Sequence, residues 1–182
     1  MNNLNLKETT EGLLDTFLKA GKRAKEISDK GVKISIKADK SPVTDGDLEV
    51  DSILRAKISN LTPDIPIISE ETVDLNVKKT YKSFWLIDPI DGTKDYISKK
   101  NNYTINAALV INLKLVLGLI YSPAKDRLFY SYGKNFAFEI CQGKKILLNC
   151  KKKHNKEIIG LENSGGTPEE ILKIYKKHEV SK

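Results

Sequence analysis

The sequence predicts a layered α+β domain with a largely antiparallel sheet. Three observations carry that prediction. Apolar residues recur at helical spacing from Leu6 to Ile27. From Pro66 onward the period shortens to brief apolar runs. Those runs then follow one another in meander order, separated by turn residues. The chain has 182 residues, enough for one ordinary domain.

The first helix is drawn from Leu6, Leu13, Leu14, Phe17, Leu18, Ala20, Ala24 and Ile27, with Lys and Glu between them. Asp29-Lys-Gly31 ends it, because Gly tolerates a left-handed cap. Lys33 to Lys37 alternates and reads as a short strand, followed by a polar loop from Ala38 to Thr44. Thr44 or Asp45 can cap a second helix running to about Asn60, with Leu48, Ile53, Leu54 and Ile58 on its apolar side. Pro66–Glu70 and Ser83–Asp88 are short buried runs, each ending in an acid. Tyr103–Ile111, Leu115–Tyr121, Arg127–Tyr132 and Asn135–Cys141 complete the strands. Gly118 and Gly133 punctuate them, and Ser122–Asp126 turns the chain. Thr167-Pro168-Glu169-Glu170 reads as a helix start with Pro at the first helical position, the helix ending near His178.

Composition narrows the class. Hydrophobic residues are 40% and charged residues 30%, so a packed core is expected. The net charge of +7 favours anionic partners such as phosphorylated metabolites, nucleic acid or acidic membrane surface. Two cysteines, Cys141 and Cys150, exclude a disulfide-stapled scaffold and a Cys-rich zinc module. No apolar run approaches bilayer-spanning length, and Met1–Gly12 lacks the pattern of a signal peptide. The expectation is a cytoplasmic chain, free or peripheral to the membrane.

Chemistry concentrates where two apolar runs end in carboxylates: Ile67-Ile-Ser-Glu70-Glu71 and Trp85-Leu-Ile-Asp88, the latter continuing Pro89-Ile90-Asp91-Gly92-Thr93. Asp88 and Asp91, three apart across a Pro-containing turn, can point at one place. Two carboxylates so close raise one another's pKa, and a divalent cation removes the conflict. Hard oxygen donors suit Mg²⁺, which keeps waters and takes substrate phosphate as a further ligand. Gly92-Thr93 opening a short helix through Ile97 offers free backbone N–H groups to a phosphate. Alone, an Asp-x-x-Asp is a turn or a solvated pair, and a Glu-Glu after a strand is surface. Together they describe a phosphoryl-transfer or phosphate-hydrolysis site.

Trp85-Leu-Ile-Asp-Pro-Ile-Asp-Gly-Thr-Lys-Asp-Tyr96 resembles the D-P-[IL]-D-G-T signature of the inositol monophosphatase superfamily of Mg²⁺-dependent, lithium-sensitive phosphatases. Ser41-Pro-Val-Thr-Asp-Gly-Asp47 is similar to the superfamily's S-P-V-T-x-x-D, and Ser69-Glu-Glu71 to its S-E-E. Tyr103–Leu109 and Val116–Pro123 resemble the strands that follow. Gly92-Thr-Lys-Asp-Tyr96 is closer to the G-T-K-[ED]-F form of 3′(2′),5′-bisphosphate nucleotidases of CysQ type than to the G-T-x-N-F of inositol phosphatases.

The resemblance implies a layered αβα sandwich, represented here mainly by an N-terminal metal-binding subdomain over residues 1–150 and the start of a second over 151–182. It implies two or three Mg²⁺ ions. Glu70, Asp88 and the Ile90 carbonyl would hold a first, Asp88 and Asp91 a second, and Glu70 a third, weaker one. Asp47 with Thr93 would orient or deprotonate the attacking water, and the Gly92 and Thr93 amides would hold phosphate. The implied reaction removes the 3′-phosphate of 3′-phosphoadenosine 5′-phosphate, giving AMP and phosphate. Inositol or sugar monophosphates are the alternative substrates.

The superfamily's later W-D-x-A-A-G motif, whose Asp is another metal ligand, is missing, since the only Trp is Trp85. The usual Ser-Arg-Ser-His-like stretch reads Gly160-Leu-Glu-Asn163. The chain therefore reads as an N-terminal half: truncated, an inactive remnant, or one piece of a split enzyme. The expectation is an exposed apolar surface, with self-association as a homodimer or pairing with a complementing C-terminal chain.

Other signals are weaker. Lys144–Lys156, rich in lysine, lacks interleaved aromatics and reads as a solvated face or connector rather than a specific nucleic-acid site. Lys37, Asp39 and Lys40 read by default as a mobile polar loop, with closure over substrate phosphate as the alternative. His154 and His178 lie outside every motif.

Overall fold

The computed structural model describes residues 4–72, 80–149, 158–159, 168–178 and 180–181. Cys150, His154, Gly160–Asn163 and most of the lysine-rich stretch lie outside the described residues. The chain divides into two compact units, Met1–Leu148 and Asn149–Lys182.

Helix α1 spans Leu6–Lys30. The Asn5 side chain caps it by accepting from the Glu8 N–H at 3.3 Å, and Gly31 ends it at φ +91°. Strand β1 (Ile34–Ile36) pairs antiparallel with β2 (Pro42–Thr44). The expected polar loop thus ends in a strand: Lys37 N–H donates to Ser41 O and closes a hairpin that a propensity reading of Ser-Pro-Val-Thr does not show. Helix α2 runs Asp45–Leu61 and buries Asp47, Val50, Asp51, Leu54 and Ile58 along one stripe. Leu48, expected on that stripe, is 55% exposed. The buried face starts at the carboxylates of Asp47 and Asp51, so hydrophobicity alone places it one residue off.

Strands β3 (Ile67–Ser69), β4 (Phe84–Asp91), β5 (Thr104–Ile111), β6 (Lys114–Ser122), β7 (Arg127–Tyr132), β8 (Ala137–Cys141) and β9 (Lys144–Leu147) form one sheet in that order. Only β3 and β4 pair in parallel; every other neighbour pair is antiparallel. Gly118 lies inside β6, opposite Ala108 and Ser131. One expectation changes here. The segment from Asp88 to Asp91 is a register irregularity within β4, not a turn, consistent with Pro89 having no N–H for the ladder. Lys144–Leu147, read as a solvated face or connector, is an exposed edge strand, and lysines are common guards of such edges.

Alternation along the strands decides what packs where. Trp85, Ile87, Ile105, Leu109, Leu117, Leu119 and Leu128 are buried in one core with Leu13, Phe17, Val50, Leu54 and Ile58 of the two helices. Trp85 Nε1–H donates to Thr62 Oγ1 at 2.9 Å, so the largest core side chain keeps its polar atom satisfied. The opposite face of the sheet carries Leu86 and Ile120 at about half exposure, 49% and 50%. It is hollowed by a depression of about 450 Å³ that runs from Asp88 and Asn106 to Phe129 and Phe138.

In the second unit, β10 (Ile158–Ile159) pairs in parallel with β11 (Val180–Ser181), and α4 spans Glu169–Lys177 between them. Pro168 sits at the N-cap, one place before the expected first helical position, and His178 caps the other end. Among the described residues no helix is long and apolar enough to cross a membrane.

Gly21 of α1 tests the helix-to-sheet contact. A Cβ there would lie 2.8 Å from Tyr121 Cδ1 and 3.0 Å from Pro123 Cγ. Ala in a helix gains about 1 kcal/mol over Gly, whereas forcing a buried ring aside costs about 1–3 kcal/mol. Gly21→Ala is expected to lower the urea-unfolding free energy; an increase would show that α1 does not press on Tyr121.

Candidate functional site

The parallel pairing of β3 with β4 sets Ser69 level with Ile87. Glu70 and Asp88, the next residue on each strand, therefore emerge at the same end of the sheet. The ladder continues one step further, with Glu70 N–H donating to Ile87 O at 3.1 Å. Ser69 Oγ donates to buried Asp51 Oδ1, tying β3 to α2.

Asp88 is the most perturbed acid described. Burial, then the charges of Glu70 and Asp91, push its carboxyl up to about 7. Its Oδ1 is buried with no hydrogen-bond partner. The Ile90 side chain is buried, and its carbonyl accepts from Thr93 Oγ1 at 3.1 Å. Asp91 is exposed, and its Oδ2 accepts from Asn106 Nδ2 at 3.5 Å. Asp47 is fully buried at the start of α2. Its Oδ2 accepts from the Thr44 N–H at 2.8 Å and from the Thr44 hydroxyl, closing a capping box. Its Oδ1 faces Thr93 Oγ1 at 3.4 Å. Burial raises the Asp47 carboxyl against those hydrogen bonds.

Gly92 holds φ +95°, and a Cβ there would stand 2.8 Å from Asn102 O, so the turn into α3 (Thr93–Ile97) requires Gly. The Gly92 carbonyl accepts from the N–H groups of Asp95 and Tyr96, leaving Thr93 N–H at the open first turn. Tyr96 anchors this short helix: its buried hydroxyl donates to Ala24 O at 2.6 Å, and its ring lies against Gly46. The structure thus brings Glu70, Asp88 and Asp91 together as interacting charges, and joins Asp47 to Ile90 through Thr93.

Two neighbours were harder to read from the sequence. Lys37, on the hairpin joining β1 to β2, makes ion pairs with Glu70 at 3.2 Å and Glu71 at 2.9 Å. Burial pulls its ammonium down, but the two carboxylates outweigh it and the net shift is upward. The Glu71 side chain is almost wholly buried, and burial raises its carboxyl against the pull of Lys37. No spacing rule links position 37 to 70 and 71; only the hairpin does.

As they stand, no three of the described Asp, Glu, His and Cys side chains converge into a ready metal cage. The donor set nevertheless fits a hard divalent cation. It offers a buried carboxylate oxygen without a partner, two further carboxylates acting on it, and a backbone carbonyl two residues along the strand path.

The inositol monophosphatase family model matches residues 5–179, and the chain belongs to that family. Among curated proteins, it is 34% identical over 149 residues to the 3′(2′),5′-bisphosphate nucleotidase CysQ of Buchnera aphidicola subsp. Acyrthosiphon pisum, covering 81% of this chain and 55% of the relative. It is 37% identical over 103 residues to CysQ of Salmonella typhimurium, covering 56% and 42%. The chain thus spans about half the length of the curated relatives it matches. Among solved structures, CysQ from Bacteroides thetaiotaomicron superposes with a TM-score of 0.74 at 26% identity, covering 99% of this chain and 73% of that one. A staphylococcal inositol monophosphatase soaked in lithium chloride shares the fold at TM-score 0.75 and 17% identity, covering 100% and 68%. The resemblance carried by Asp88–Thr93 and the α+β layered expectation both stand.

The Asp88 environment has a consequence for metal-free protein. A carboxyl whose folded pKa, about 7 here, exceeds its ordinary value of about 3.9 binds its proton more tightly when folded. Its contribution to stability is full at low pH and is lost as pH rises toward the folded pKa. In chelator-treated protein the thermal midpoint is expected to fall from about pH 4.5 to about pH 7.5, and Asp88→Asn to flatten that fall. An identical slope in the variant would place the pH dependence elsewhere.

Proposed function

We propose that this chain carries the metal- and phosphate-binding centre of a Mg²⁺-dependent phosphatase acting on the 3′-phosphate of 3′-phosphoadenosine 5′-phosphate. The observation that supports it most is the unpartnered, buried Asp88 oxygen facing the charges of Glu70 and Asp91. The nucleotide substrate is supported by the bisphosphate-nucleotidase relatives and by Gly92-Thr-Lys-Asp-Tyr96.

In this reading Glu70, Asp88 and the Ile90 carbonyl hold one ion, Asp88 and Asp91 a second, and Glu70 a third, weaker one. Bound Mg²⁺ supplies Lewis-acid charge that acidifies water and steadies phosphoryl oxygens. The chain's own residues do the rest. The Gly92 and Thr93 amides hold the phosphate at the opening turn of α3. Thr93 Oγ1 carries one proton, placed between Ile90 O at 3.1 Å and Asp47 Oδ1 at 3.4 Å. It can accept from an attacking water while passing its own proton toward Asp47. The raised Asp47 carboxyl is the better proton acceptor for that shift. Water forms the new P–O bond in line as the ester P–O bond breaks and the departing 3′-oxygen takes up a proton from solvent water, so no Ser or Cys nucleophile is required.

A phosphate-release assay with Mg²⁺ tests this on 3′-phosphoadenosine 5′-phosphate and on inositol 1-phosphate. The nucleotide is expected to be preferred, and Asp88→Asn to lower kcat/KM by more than about 100-fold. Preference for inositol phosphate would move the substrate, and full activity of Asp88→Asn would remove the site.

The exposed Leu86 and Ile120 face supports a second reading: a metal-binding half that turns over only when further polypeptide covers that face. Calorimetric uptake of Mg²⁺ with no phosphate released from either substrate would select it.

A further inference from the structure

Asn106 sits in a strand whose other residues are mostly apolar, Ile105-Asn106-Ala107-Ala108-Leu109. Strand register puts it directly opposite Asp88, while Asp91 pairs with Thr104 two places earlier. Its Nδ2 donates to Asp91 Oδ2 at 3.5 Å. Its Oδ1 is buried and has no partner, the same condition as Asp88 Oδ1 across the ladder. The amide cannot gain by turning over, because that would set its oxygen against the Asp91 carboxylate. Two acceptor atoms on adjacent strands are therefore shielded from solvent with nothing donating to them. Buried acceptors are ordinarily satisfied, and an exception calls for a cause.

A donor that would satisfy them is water held by a hard cation. Mg²⁺ gives up its waters reluctantly, and those waters are strong hydrogen-bond donors. Groups that orient metal ligands and hold metal-bound water from behind are part of such sites as much as the ligands are. We propose that Asn106 is a positioning residue of the metal site: its NH₂ holds Asp91, and its Oδ1 accepts from a water retained by a cation on Asp88 and Asp91. This rests on the reading of Asp88 and Asp91 as ligands. It assigns a role to a residue that makes no direct metal bond and lies outside the Asp88–Thr93 signature.

Asn106→Leu tests it, because Leu is close in volume and removes both the donor and the unpaired acceptor. Removing an unsatisfied buried acceptor is neutral or stabilising to the fold. The metal-free thermal midpoint is therefore expected to hold or rise, while calorimetric Mg²⁺ affinity weakens about 10- to 100-fold. Asn106→Ala serves if Leu does not fold, and Asp88→Asn runs beside them. Unchanged Mg²⁺ affinity in folded Asn106 variants, with affinity lost in Asp88→Asn, overturns the Asn106 role and leaves the ligand reading standing. A metal-free midpoint lowered in both Asn106 variants makes Asn106 a scaffold residue and likewise overturns it. Affinity unchanged in Asp88→Asn, or no Mg²⁺ uptake by the parent chain, overturns both.

Discussion

Negative charge gathered at one end of the β3–β4 pair is the constraint around which this structure is arranged. The charges of Glu70 and Asp91 act on the partly buried Asp88, whose carboxyl is raised by its burial and by both of them. Lys37 relieves part of it by reaching from the hairpin to Glu70 and Glu71. Nothing donates to the buried Asp88 oxygen. A fold that keeps such an atom in place holds a conformation suited to something positively charged, and pays for it in stability.

The scaffold around that charge is made from helix starts rather than from loops. Asp47 is both the third residue of α2, completing a capping box with Thr44, and the partner of Thr93. Thr93 opens α3 and also donates to the carbonyl of Ile90 inside the irregular part of β4. Tyr96 then pins α3 to α1 through Ala24 and to α2 through the space that Gly46 leaves open. Side chains that cap or anchor an element have fixed directions, which is what a site needs if its groups are to meet without rearrangement.

Much of this was legible in the residues. The 3.6-residue pattern of α1, the acid-ended runs before Glu70 and Asp88, and the meander from Tyr103 to Cys141 follow from periodicity alone. What escaped is what depends on tertiary partners. Leu48 is exposed because the buried stripe of α2 begins with Asp47 and Asp51, carboxylates that a hydrophobic reading treats as surface. Pro42–Thr44 became a strand because β1 was there to pair with it. Asn106 is one polar residue in an apolar run, and only the register with Asp88 gives it meaning. Lys37 stands 33 positions from Glu70 in sequence, so no local pattern can connect them.

The parallel β3–β4 pair also says which kinds of change the centre can absorb. What separates Glu70 from Asp88 is the hydrogen-bonded ladder, not the number of residues joining them. Extra residues inserted after Glu71 would cost little more than the entropy of a longer closure. A slip of β3 by a single place would instead turn Glu70 to the reverse side of the sheet and set Ser69 or Glu71 level with Asp88 in its stead. Drift in length is tolerated at this junction, and drift in phase is not.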